Sequence, residues 1–247
     1  DNLIQRNFAT SLMRLNKGFF IKRSVEGPRK VYAALVHSSE YIAHSIRSGQ
    51  SVWIAQSEGR SKDGFDLTDP AIVKMFALRD RKSPLGDAIS GLNIIPLSLS
   101  YELDPCDTLK AKELTSRALH GTYEKPEGED LLAMVKGLSG QKGRVVLRLG
   151  KKLDQDFENA DSVAEAIDRQ IVSMMEFFPV NYWALAQINE PEYRTAWEKL
   201  DISISAKDAA ALEQRLLACP ETDRACWLKM YANPILNRDR ILGRLSS

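Results

Sequence analysis

Lys17-Gly18-Phe19-Phe20-Ile21-Lys22-Arg23-Ser24 is the stretch on which the reading of this chain turns. Phe19, Phe20 and Ile21 have the aromatic and β-branched character of a buried strand, and Lys22 and Arg23 follow at once. A strand here delivers two adjacent cations to its exit, an arrangement that suits an anionic small molecule, phosphate above all. The same residues also fit a core strand followed by solvated surface charges. On these eight residues alone the plainer reading, a core strand ending in solvated charges, is the favoured one.

Such strands are predicted at 51–55, 93–100 and 144–149, where short apolar runs stand between turn-forming residues. Pro96 cannot donate to a ladder, so its strand is expected at an edge or a bulge. Helices are predicted between the strands. One starts at Pro28 and stops at Gly49, another opens at Pro70, and a third runs from Asp107 to Gly121. Strands alternating with helices predict an α/β fold with a mostly parallel or mixed sheet flanked by helices. Ligands of such sheets gather at the carboxyl ends of strands, where both Lys22-Arg23 and the loop 56–69 would lie. From Ser162 onward the apolar period is helical, and Ser205 with Asp208 has the spacing of a capping box. The expected division is an α/β domain over 1–158 and a C-terminal helical extension over 159–247.

Among the 247 residues, 44% are hydrophobic and 27% charged, ordinary proportions for a globular protein. A net charge of +1 gives no general argument for nucleic acid. Its distribution is uneven. Through Lys62 there are ten Lys or Arg against four acids, an excess of 10 − 4 = +6 that would attract anionic substrates or a phospholipid surface. Cys106, Cys219 and Cys226 lack metal-ligand spacing and suggest a reducing environment. His37 and His44 have no acid or Cys cluster to complete a metal site. No apolar run reaches the roughly 20 residues of a spanning helix. The aromatic stretch Phe177, Phe178, Tyr182, Trp183, Leu185 reads as core, with an interfacial or tunnel-lining role as its functional alternative.

In the loop after the second strand, Glu58-Gly59-Arg60-Ser61 sets a carboxylate and a guanidinium around a glycine. Gly lets backbone approach a ligand closely, and Arg can grip two phosphate oxygens. Three segments in order, Lys17-x-Phe19-Phe20-Ile21-Lys22-Arg23, then Glu58-Gly59-Arg60-Ser61, then Ile95-Pro96-Leu97-Ser98, resemble successive motifs of the glycerolipid acyltransferases. That family comprises the glycerol-3-phosphate and lysophosphatidate acyltransferases and their relatives. The resemblance covers about residues 1–150. It implies transfer of an acyl chain from an acyl-CoA or acyl-carrier-protein thioester to a hydroxyl of glycerol 3-phosphate or a lysophospholipid, with no bound cofactor or metal. It also implies that Lys22, Arg23 and Arg60 hold the acceptor phosphate, that Glu58 shapes the pocket, and that Lys17, Phe19, Phe20, Gly59 and Ser61 belong to the substrate site. Ile95 and Pro96 belong to the fourth, structural motif. The implied partners are the thioester donor, the phosphate-bearing acceptor and a membrane surface met peripherally on its cytoplasmic face, with no nucleic acid.

Two departures stand beside the resemblance. The family usually writes its third motif Pro-Glu-Gly-x-Arg-Ser, whereas here Ser57 precedes Glu58 and Gly59 adjoins Arg60 directly. The shift leaves room for another acceptor, such as an aminolipid. The family's catalytic His-x4-Asp pair is missing: five residues after His37, His44 and His120 stand Ile42, Gly49 and Lys125. The pair is expected upstream of Asp1, and a non-catalytic phospholipid-binding relative is the alternative.

Overall fold

A computed structural model describes residues 11, 14–15, 17–19, 26–57, 61–80 and 82–244. Ten α-helices and two strands occur among them, grouped in two compact units whose segments interleave along the sequence.

The first unit draws its described residues from Asp1–Glu58, Thr68–Ile94 and Lys152–Glu165. Its long helix α1 (Pro28–Arg47) has Pro28 at the first turn, where the missing N–H costs nothing. Small residues on its inner face, Ser38, Ser39 and Ala43, let α2 (Pro70–Ala77) come close. The Ser39 hydroxyl donates to the Phe76 carbonyl at 2.9 Å and accepts from the Arg79 N–H at 3.1 Å, tying the helix to the turn after α2. Asp69 caps α2, its carboxylate accepting from the Ala71 N–H at 2.8 Å. A short α3 (Leu85–Ser90) adds Ala88 and Ile89 to a core with Ile42, Val73, Met75 and Phe76.

The second unit draws on Gly59–Leu67, Ile95–Lys151 and Ala166–Ser247. It holds β1 (Leu97–Tyr101), α4 (Asp107–His120), α5 (Glu129–Ser139) and β2 (Val145–Leu149). Then come most of α6 (Ala160–Met174), and α7 (Pro179–Gln187), α8 (Pro191–Glu198), α9 (Ala206–Leu217) and α10 (Arg224–Ile241). Its core is aromatic. Trp227 is fully buried, edge-on to Trp183 at 6.4 Å and 4.6 Å from the Tyr231 ring. Phe178, Leu185, Ile235 and Leu236 close around them. The stretch 177–185 is therefore largely core. A buried network pins α4 to α9 and α10. Asp107, 4% exposed, accepts from Arg215 Nε at 2.7 Å and from the Tyr231 hydroxyl at 3.1 Å. Burial, with the Asp107 charge beside it, holds the Tyr231 hydroxyl well above the usual phenol range, so it donates as a neutral group.

The sheet differs from expectation. β1 and β2 pair antiparallel, Leu97 opposite Leu149 and Tyr101 opposite Val145, and no other strand joins them among the described residues. A single crossover helix would return the chain for a parallel partner. Two helices, α4 and α5, lie in this connection, and the chain re-enters from the opposite end. The expected parallel or mixed sheet flanked by helices is thus corrected to a two-stranded antiparallel ribbon within a mainly helical chain. The expected strand at 51–55 joins no ladder, although its burial still alternates, Val52 and Ile54 half-buried between exposed Ser51, Trp53 and Ala55. Of the strand expected at 18–22, Gly18 and Phe19 are in no ladder, and 20–22 lie outside the described residues. No helix among the described residues is long and apolar enough to cross a membrane.

Candidate functional site

The loop from Ser61 to Leu67 is held against α10 by that helix's buried amides. Asn233 Nδ2 donates to the Asp63 carbonyl at 2.6 Å and Asn237 Nδ2 to the Asp66 carbonyl at 2.9 Å. These asparagines stand one helical turn apart, so one face of α10 reads the loop backbone twice. Asp63 closes a local turn by accepting from the Phe65 N–H at 3.1 Å. Gly64 sits at φ +84° over Pro234 in the middle of α10. A Cβ on residue 64 would lie 2.6 Å from Pro234 Cδ and 2.8 Å from the Met230 carbonyl oxygen, so only glycine fits both the turn and the approach.

Between this loop, β1, the segment after α6 and α10 opens a pocket of about 170 Å³. Its lining is of two kinds. Ser61, Lys62, Asp104, Lys110, Glu176 and Tyr231 are polar, whereas Met175, Phe177, Met230 and Pro234 are apolar. The two ammonium groups are already partnered. Lys62 makes a close ion pair with Glu113, which Arg117 also contacts at 2.8 Å. Lys110 lies 2.6 Å from Asp104 and donates to the Ser61 carbonyl at 3.0 Å. Burial works against charge on Glu113, but the Lys62 and Arg117 cations outweigh it and hold its carboxyl below the usual range. The Ser61 hydroxyl oxygen is buried and has no hydrogen-bond partner among the described residues. A buried hydroxyl left unpaired costs about 1–3 kcal/mol, which a ligand group reaching Ser61 would recover.

With both lysines neutralised, an incoming dianion needs a further cation. Arg60 immediately precedes Ser61 in sequence but lies outside the described residues. So do Phe20, Lys22, Arg23, Glu58 and Gly59. Of the remaining expected site residues, Lys17 is exposed at φ +55° and Phe19 is half-buried against the Tyr41 ring at 5.0 Å, both in the first unit. Ser61 lines the pocket. Ile95 is 51% exposed, and Pro96, just before β1, accepts from the Gly150 N–H at 2.8 Å. Sequence reading missed Lys62, Lys110, Asp104 and the α10 residues as pocket wall. Lys62 adjoins the motif and was within reach; the others come from distant elements with no local signature.

Among the described residues no group of three or more His, Cys, Asp or Glu could hold a metal ion. Cys219 is buried, and burial together with Asp223 pushes its thiol up to about 11, so it is no nucleophile at neutral pH. Cys106 is buried and its thiol donates to the Ala133 carbonyl at 3.3 Å. Comparison with protein-family models, with curated proteins and with solved structures finds no match for this chain.

Proposed function

We propose that this chain acts as an O-acyltransferase of the glycerolipid type, moving a fatty acyl chain from an acyl-CoA or acyl-carrier-protein thioester to a hydroxyl of glycerol 3-phosphate or a lysophospholipid. One observation carries the reading. Ser61, the last residue of the motif Glu58-Gly59-Arg60-Ser61, lines a pocket that is polar at Ser61, Lys62 and Lys110 and apolar at Met175, Phe177, Met230 and Pro234. Such a lining suits an amphiphile, headgroup on the polar groups and chain on the apolar ones. In the reaction a histidine removes the acceptor hydroxyl proton, the oxygen bonds to the thioester carbonyl carbon, and the C–S bond breaks to release a thiolate. The His-x4-Asp pair implied by the resemblance is not among this chain's three histidines, so no residue here is assigned as the base. The missing spacer between Gly59 and Arg60 favours one variant of this reading, in which the acceptor is another lysolipid, such as an aminolipid. The protein works peripherally, at the cytoplasmic face of a membrane.

The test is steady-state kinetics on the longest polypeptide containing this chain, with donor and acceptor varied separately. A guanidinium on phosphate makes charge-assisted bonds of about 1.5–3 kcal/mol each. Arg23→Ala is therefore expected to lower acceptor kcat/KM by about tenfold to several-thousandfold while sparing the donor. Arg23→Lys recovers part, keeping the charge without the planar fork. Unchanged acceptor kinetics in Arg23→Ala would make this cation a solvated strand end.

A further inference from the structure

Among the described residues, four charged side chains line the pocket, and their signs balance: Lys62 and Lys110 against Asp104 and Glu176. Each is already paired. Lys62 is engaged by Glu113, whose side chain is 6% exposed, and Lys110 lies 2.6 Å from Asp104. Glu176 pairs with Arg148, and its N–H donates to the Ser100 hydroxyl at 3.0 Å, which fixes it against β1. Hydrogen-bonding capacity remains on both signs. An ammonium has three donors, of which Lys62 spends one on Glu113 and Lys110 spends two, on Asp104 and the Ser61 carbonyl. A carboxylate accepts on two oxygens, and Glu176 meets Arg148 through Oε2.

We propose that this pocket sorts lysophospholipids by headgroup charge, taking a zwitterion, a phosphodiester joined to a primary ammonium, in preference to a phosphate monoester. A monoester carries about −1.5 to −2 charges at neutral pH, and esterifying a second oxygen leaves one. A dianion here would face Asp104 and Glu176. It would also draw Lys62 away from Glu113, a buried carboxylate whose other cation, Arg117, is 57% exposed. The zwitterion needs no such exchange. Its phosphodiester takes the spare donors of Lys62 and Lys110 while its ammonium donates to Glu176, so charge-assisted bonds form at both ends. Size agrees with a headgroup site. A volume of about 170 Å³ is below the roughly 300–1,000 Å³ of pockets that enclose a drug-sized ligand, so the headgroup enters and the chain leaves over Met175, Met230 and Pro234. The inference rests on the lysophospholipid acceptor proposed above but is read by binding alone. Zwitterion binding without acyl transfer would remove the activity and keep the preference, whereas transfer with the dianion held more tightly would do the reverse.

The test is equilibrium dialysis of the longest polypeptide containing this chain against radiolabelled dodecanoyl lipids at monomer concentrations. The lipids are lysophosphatidylethanolamine, lysophosphatidate and monoacylglycerol. The first is expected to bind about tenfold or more tightly than either of the others, the worth of one charge-assisted bond. Glu176→Gln is expected to weaken that binding by about tenfold while leaving lysophosphatidate binding undiminished, since Arg148 then has no carboxylate there to neutralise it. Equal or tighter binding of lysophosphatidate by the unaltered chain overturns the proposal. So does monoacylglycerol bound as tightly as the zwitterion, which would mean that headgroup charge is not read. Binding of none of the lipids overturns it too, as does a folded Glu176→Gln chain whose preference is unchanged. Should that variant not fold, the comparison of lipids on the unaltered chain decides by itself.

Discussion

Gly64 shows how one residue fixes the pocket's geometry. Its φ of +84° and its approach to Pro234 and the Met230 carbonyl leave no room for a side chain. Gly64→Ala must strain the backbone and displace the loop, costing about 1–3 kcal/mol. Urea denaturation is expected to show that loss, and an unchanged midpoint would contradict the close approach. Glu113 gives a pH signature at the same scale. Its carboxyl titrates below the ordinary 4.5 in the folded chain, because Lys62 and Arg117 favour its charge more than burial opposes it. A depressed folded value contributes stability above the unfolded value, lost as pH falls through the folded one. Glu113→Gln is therefore expected to destabilise by about 1–3 kcal/mol at neutral pH. The gap to the unaltered chain should begin to close near pH 4.5 and vanish further into acid. A gap independent of pH would mean that Glu113 acts by packing alone.

At the scale of elements, the sequence was legible where the signal is local. Asp107 and Gly121 bound α4 as expected, Gly121 taking φ +74°, and Ser205 caps α9 by accepting from the Asp208 N–H at 3.1 Å. Caps and stops depend on residues within a turn of each other, so they survive without tertiary knowledge. Helix α10 continues through Pro234 to Ile241, although proline inside a helix removes a donor and opposes continuation, and Gly64 approaches the proline ring closely. Strand pairing was not legible. The apolar runs at 97–101 and 145–149 are strands, but neither partner nor direction is written in either run, and the alternation looks alike whichever face is buried. The register makes the difference measurable. Val146, on the core side, should cost about 1 kcal/mol when cut to alanine, whereas Leu147→Ala should stay within about 0.5 kcal/mol. Thermal unfolding of the pair checks this, and the opposite order would mean a slipped register.

At the scale of the whole molecule, the candidate pocket joins Ser61, the last residue of a local sequence motif, to walls from distant elements. Ser61 was within reach because it ends a recognisable tetrapeptide, while Lys110, Asn181 and Met230 reach the same pocket from α4, α7 and α10. No spacing rule connects residues so far apart, and only the fold brings them together. The chemistry proposed for that pocket is acyl transfer to a phosphate-bearing amphiphile. It is tested most directly by incubating the longest polypeptide containing this chain with radiolabelled acyl-CoA or acyl-carrier protein and lysophosphatidate or glycerol 3-phosphate, then separating the lipids. The expected result is acceptor-dependent appearance of label in an ester product with release of free thiol in equal amount. A folded protein that yields no labelled ester with either donor and any phosphate-bearing acceptor would contradict the account.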